Sequence, residues 1–358
     1  MKIATVVGAR PQFIKAAPVS RALRARHTEV LIHTGQHYDA NMSDIFFEEL
    51  DIPRPDYNLG VGSGMHGAQT GAILKAVEEV LLREKPDALL VYGDTNSTLA
   101  GALAAAKLHI PVLHMEAGLR SFNRMMPEEI NRVLTDHMSE LLLCPTTTAM
   151  QNLAAEGITS GVFRNGDVMY DAFLYNRSLA RERAAILEKL GVTPGAYILC
   201  TIHRAENTDE PGRLKEILSA LSQVSRPVIL PLHPRTQRII QEQGLEKALK
   251  MALGSGIKVI DPVGYLDMIA LEADAWKILT DSGGVQKEAY FAEVPCITLR
   301  DETEWLETVQ AGWNRLVGAE AGKILQAVEK FTPPDVHPSV FGSGDAAGEF
   351  VRILENRR

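Results

Sequence analysis

The sequence predicts an α/β protein built from two doubly wound, Rossmann-like domains, and three observations carry that reading. Short β-branched or aliphatic runs alternate with longer amphipathic stretches along the chain. Near-continuous apolar strands joined by helices form parallel sheets covered on both faces. The alternation comes in two series, broken around Arg164–Ala172, and 358 residues is about twice the size of an ordinary domain.

The first series has strands at Ile3–Val7, Glu29–His33, Ala88–Tyr92, Val112–His114 and Leu141–Cys144. Its helices include Thr98–Leu108 and Glu128–Met138, where apolar residues recur with helical spacing. A charged helix over Asp171–Leu190 leads into the second series. There the strands are Tyr197–Ile202, Val228–Leu232, Lys258–Asp261, Lys277–Thr280 and Cys296–Leu299, with helices at Arg213–Ser222 and Ser282–Phe291. The pattern divides into an N-terminal domain over 1–168, a second domain over 169–340, and a closing helix within 341–358 that packs back on the first.

Composition narrows the function classes. Hydrophobic residues make up 46% and charged residues 23%, the balance of a protein that buries full cores. The net charge of −8 argues against a general nucleic-acid or membrane binder. Cys144, Cys200 and Cys296 are widely spaced with no CxxC, and there is no HExxH, so neither a disulfide framework nor a metal is expected. No cofactor is expected either. The opening MKIATVVGARPQ is too short in apolar length for a signal peptide and reads as a first strand, which points to the cytoplasm.

In open parallel sheets, ligands sit beyond the carboxyl ends of the strands. GARPQFIKAAP follows the first strand, with Arg10 and Lys15 beside a helix start that Pro11 opens. Cations there oppose the helix dipole by about 0.3–1 kcal/mol each unless an anion binds. YGDTNSTLAG places Asp94 at the end of a strand, and HMEAGLRSFNRMMPEEINR places Glu116 at another and Glu128 in a first helical turn. Crowded carboxylates raise one another's pKa, which would supply a proton acceptor and a donor near neutral pH. In the second domain, His203 (TIHRAEN) and His233 (PLHPRT) each end a strand with an arginine nearby. LTDSGGVQKEA sets Ser282 as an N-cap before Gly283 and Gly284, whose small size leaves the first helical N–H groups open to phosphate. Glu288, six residues on, is placed to accept hydroxyl protons from a ribose. Together these describe a cleft with a diphosphate site on one side and acid–base groups on the other.

Taken in order, GARPQFIKAAP, TGQHYDANM, VYGDTNSTLAG, HMEAGLRS, PEEINR, TIHRAEN, PLHPRT and TDSGGVQKEA resemble the non-hydrolysing UDP-N-acetylglucosamine 2-epimerases, from about Lys2 to Gly318. The resemblance implies a fold of the glycosyltransferase-B type with its active site in the interdomain cleft, and a homodimer. It also implies inversion at C2 of a UDP-2-acetamido sugar through elimination of UDP to a 2-acetamidoglucal and re-addition, serving surface polysaccharide synthesis. By resemblance, Asp94, Glu116, Glu128 and His203 are the catalytic positions. Arg10, Lys15, His233, Ser282, Gly283, Gly284 and Glu288 contact the UDP-sugar.

Three features depart from the usual pattern: TEWLE puts Trp305 where an arginine is common, the RSFNRMMPE loop is short and carries Arg124, and Ala205 replaces a second arginine. They resemble the subgroup acting on UDP-2,3-diacetamido-2,3-dideoxy-glucuronate, with Arg124 or a neighbouring cation facing a C6 carboxylate and Trp305 as a second specificity candidate. A hydrolysing epimerase, a glycosyltransferase and a nucleotide-sugar sensor are the rival readings.

Overall fold

A computed structural model describes residues 1–36, 52–246, 249, 254 and 256–357. Beyond Gln36, the TGQHYDANM segment lies outside the described residues. Two compact units emerge, one of residues 1–172 with 339–358 and one of residues 173–338.

The first unit holds a seven-stranded sheet, all parallel, in the order β3-β2-β1-β4-β5-β6-β7. Its strands are β1 (Lys2–Val7), β2 (Thr28–His33), β3 (Tyr57–Asn58), β4 (Ala88–Tyr92), β5 (Val112–Met115), β6 (Leu141–Cys144) and β7 (Val162–Arg164). The second unit holds six parallel strands in the order β10-β9-β8-β11-β12-β13. These are β8 (Ile198–Thr201), β9 (Val228–Pro231), β10 (Ile257–Ile260), β11 (Lys277–Thr280), β12 (Cys296–Thr298) and β13 (Asn314–Leu316). The α/β class and the two parallel sheets match the expectation from sequence. Central strands such as β4, β8 and β11 are buried throughout, as sheets covered on both faces require.

Each sheet changes winding direction once, between β1 and β4 in the first and between β8 and β11 in the second. Such switch points open a crevice at the strands' carboxyl ends, where ligands bind in this class of sheet. Arg10 opens the helix that follows β1, and Asp94 lies in the loop after β4; the loops after β8 and β11 carry His203 and Ser282.

The single helix expected over Asp171–Leu190 is two, Val168–Arg183 and Ile186–Leu190. The break falls at Ala184 and Ala185, and alanine is the best helix former. Tertiary packing therefore sets the break: the second piece lies against the Tyr265–Ala273 helix. All three cysteines are free and buried.

The last helix, Ala346–Asn356, packs on the Arg10–Arg24 helix of the first unit. Its N-cap residue makes no side-chain cap, and Asp171 takes that role by accepting from the Ala346 and Ala347 amides at 2.9 and 2.8 Å. Burial outweighs these two hydrogen bonds and raises the Asp171 carboxyl to about 6. A raised acid stabilises the fold while protonated, and that contribution is lost as pH rises through the folded value. Asp171→Asn, which does not titrate, should therefore gain on the unmodified protein by up to about 3 kcal/mol between pH 4 and pH 7. Paired urea melts across that range measure the difference.

Candidate active site

In the first unit, Glu116 follows β5 with φ +67°, a left-handed conformation costly for a side chain of this size. Its carboxylate is buried and meets Lys15 Nζ at 2.5 Å. Burial alone lowers the Lys15 ammonium, but Glu116 at hydrogen-bond range, with Asp94 and Asp167 nearby, holds it above 10.5. Gly93, at φ +60°, lets the end of β4 close over the pair: a Cβ there would stand 3.4 Å from Glu116 Oε2. Asp94 forms an ion pair with Arg132. Arg132 also reaches Glu129 at 3.0 Å, and Asn131 Nδ2 donates to the Asp94 carbonyl at 2.9 Å.

Thus Asp94, Glu116 and Lys15 do come together, but the crowding of like charges expected from sequence is replaced by matched pairs. Each of the two acids faces a cation. Glu128 is exposed and shares no hydrogen bond or ion pair with either acid among the described residues. Its neighbour Glu129 is the buried one. It accepts from the Ser121 amide, the Ser121 hydroxyl and the Phe122 amide, each at 2.9 Å, and so folds the Arg120–Met126 loop. Burial works against its charge, yet these donors and Arg132 hold its carboxyl below the ordinary value. Arg10 and Arg124 are both exposed, one at the first helical turn and the other in that loop.

Gln12 aligns the two loops at the switch point. Its Oε1 accepts from the Gly8 and Ala9 amides at 2.8 and 3.2 Å, and its Nε2 donates to the Tyr92 carbonyl at 2.7 Å. Neither Gln12 nor Arg132 was singled out from sequence, because each lies inside a helical pattern and finds its partner far along the chain.

In the second unit, Ser282 is the N-cap of the Gly283–Phe291 helix, its Oγ accepting from the Val285 amide at 3.5 Å. The Gly283 and Gly284 amides donate to no group among the described residues. They form an open donor pair at the positive end of a helix dipole. A Cβ on Gly283 would stand 2.5 Å from Glu304 Oε1, so any larger residue would have to displace that carboxylate. Glu304 is held by Arg300 at 2.8 Å, and burial is outweighed by hydrogen bonding and by the Arg300 and Arg204 charges, which lower its carboxyl. Trp305 lies beside it, with the Lys287 ammonium 4.3 Å from its ring.

Asp281, just before Ser282, is fully buried. It accepts from the His203 amide (3.1 Å), the Arg204 amide (3.1 Å) and Asn207 Nδ2 (3.1 Å). It therefore fixes the loop after β8 against the loop after β11. His203 Nδ1 lies 3.6 Å from the same carboxylate. Desolvation, helped by Arg204 and His233, keeps the imidazole below its ordinary 6.5 despite Asp281, so the ring is neutral at pH 7. His203, His233 and Val285 share an apolar cavity of about 190 Å³ with Ile202, Pro262 and Met268. His233 also caps the next helix, its Nδ1 accepting from the Arg235 amide at 3.2 Å. The two arginines read beside these histidines are engaged with acids: Arg204 with Glu304 at 3.5 Å and Arg235 with Asp209 at 2.9 Å. Glu288, buried within the glycine-headed helix, accepts from the Tyr265 hydroxyl at 3.1 Å. Among the described residues, no cluster of three His, Cys, Asp or Glu side chains is arranged to hold a metal ion.

The chain is thus a two-unit parallel α/β protein with ion-paired acids at one switch point and bare helix-head amides at the other. The family model described as UDP-N-acetylglucosamine 2-epimerase matches residues 21–355. The chain is 56% identical to a UDP-N-acetylglucosamine 2-epimerase homolog of Methanococcus maripaludis, across 99% of this chain and 100% of that one. It is 50% identical to the UDP-2,3-diacetamido-2,3-dideoxy-D-glucuronate 2-epimerase of Pseudomonas aeruginosa, across 99% of each. A crystal structure of the Methanocaldococcus jannaschii UDP-GlcNAc 2-epimerase with UDP-GlcNAc and UDP superposes with a TM-score of 0.86 at 48% identity, covering 99% of this chain and 100% of the other. The chain belongs to the UDP-N-acetylglucosamine 2-epimerase family, whose members are isomerases.

Proposed function

We propose that the protein inverts C2 of UDP-N-acetylglucosamine without hydrolysing it. The single observation that carries this reading is the open Gly283–Gly284 amide pair behind its Ser282 cap, a diphosphate seat paired in the same chain with the ion-paired acids Asp94 and Glu116. The cavity beside His203 and His233 takes the base, and Glu288 takes the ribose hydroxyls. One carboxylate removes the C2 proton as the C1–O bond breaks, its electron pair leaving with the β-phosphate. This yields UDP and 2-acetamidoglucal. Protonation of C2 from the opposite face and return of the phosphate oxygen to C1 complete the inversion. Asp94 and Glu116 are the proton carriers. His203, neutral at pH 7, stands beside the departing phosphate.

The glucuronate reading is not favoured: relatives at 56%, 48% and 46% identity carry the N-acetylglucosamine name. Incubation with UDP-N-acetylglucosamine in D2O tests the function. Deuterium appears at C2 with UDP still attached, whereas free sugar or an unlabelled C2 overturns the reading.

The homodimer and a cytoplasmic role in polysaccharide precursor supply belong to the same proposal. No described helix is long and apolar enough to cross a membrane. Ile130 and Leu134, one turn apart on the Pro127–Met138 helix, are both exposed, as are Phe122 and Met125 before it. An apolar strip of this kind suits a second copy of the chain. Leu134→Glu should shift the mass seen by light scattering from dimer to monomer.

A further inference from the structure

Glu272 is an acid with no evident place. It lies on the Tyr265–Ala273 helix, 0% exposed, and neither of its carboxyl oxygens receives a hydrogen bond from a donor among the described residues. Its helix packs against the Gly283–Phe291 helix, and the Glu288 carboxyl, itself only 7% exposed, is the charged group that bears on it. Two carboxyl groups meeting in a buried site share one proton. The surroundings decide which keeps it. Glu288 has the Tyr265 hydroxyl at 3.1 Å and the charge of Lys287, both of which favour its ionised form. The Glu272 charge also bears on Tyr197 and Cys296, neither of which brings a positive charge.

We propose that Glu272 is a positioning residue for the nucleotide's ribose: it keeps the shared proton, donates it as a hydrogen bond to Glu288, and holds that carboxylate in the orientation that receives the ribose hydroxyls. Burial and the Glu288 charge push the Glu272 carboxyl well above the usual range, so it is neutral at working pH. A neutral acid here adds no second buried charge, which would be far more costly than a hydrogen bond. The inference rests on the ribose role given to Glu288 above.

The test is calorimetric binding of UDP and of 2′,3′-dideoxy-UDP to the full chain and to Glu272→Gln and Glu272→Leu. The unmodified protein should prefer UDP by about 10-fold or more, the scale of hydrogen bonds to a charged acceptor. Glu272→Gln, which is neutral and keeps a donor, should retain that preference. Glu272→Leu should lose most of it while binding the dideoxy nucleotide unchanged. Equal preferences in the Leu variant and the unmodified protein overturn the inference, as does an equal loss in both variants. Failure of the unmodified protein to bind UDP, or to favour it over the dideoxy form, overturns the ribose reading itself. Infrared spectra serve if the Leu variant does not fold: a protonated-carboxyl band at neutral pH should vanish in Glu272→Gln, and its absence from the unmodified protein sinks the idea.

Discussion

Asp94→Asn and Glu116→Gln should each slow conversion of UDP-N-acetylglucosamine by about 10²–10⁴-fold, the range for loss of a positioned proton carrier. The amides keep the size of the side chain but cannot take a proton from C2. They also release their cations: Lys15 loses its 2.5 Å partner, and Arg132 keeps only Glu129. UDP affinity, which the proposed function assigns to the glycine amides of the other unit, should stay nearly constant. The two variants should also be separable from each other. The one that blocks proton removal abolishes deuterium exchange at C2, whereas the one that blocks return still releases glycal and UDP. Measuring exchange and glycal release in the same samples assigns the two roles. If both variants turn over at the unmodified rate, neither acid carries the proton.

Asp281→Ala should be the most damaging single change to the fold of the second unit. The carboxylate satisfies the His203 and Arg204 amides and the Asn207 side chain from a fully buried position. Removing it orphans the two amides and takes one of the two acceptors of Asn207 Nδ2, which keeps the Leu299 carbonyl, a loss of about 3 kcal/mol. For a unit of this size the melting temperature should fall by roughly 6–12 °C, readable by scanning calorimetry. UDP binding should weaken in parallel, because this carboxylate ties the His203 loop to the residue before the glycine-headed helix. A variant that melts normally would show that water or a rearranged loop replaces the acid.

The strands were legible because central parallel strands are apolar along their whole length. Ala88–Tyr92 and Lys277–Thr280 were bounded to the residue. The strands missed, Tyr57–Asn58, Val162–Arg164 and Asn314–Leu316, are two or three residues long and lie toward the sheet edges, too short for a pattern to register. The split after Arg183 was hidden for another reason: local preference there favours a continuous helix, and contact with a distant helix overrides it. At the site, loop residues with unusual chemistry could be found from their places after strands. Gln12, Arg132, Asp281 and Glu272 could not, since a polar residue in a helix or at a strand end has no distinguishing mark until its partner arrives. Glu128 and Glu129 show this most plainly. The two adjacent acids look alike in sequence, and only the fold buries the second under the Ser121 turn.

The left-handed backbone at Glu116 limits what could replace it. A residue of that size holds such a conformation at a cost of order 1 kcal/mol, which glycine would not incur. Glycine there would recover that strain but would strand the Lys15 ammonium without its carboxylate, a larger loss, so the ion pair holds the strained turn in place.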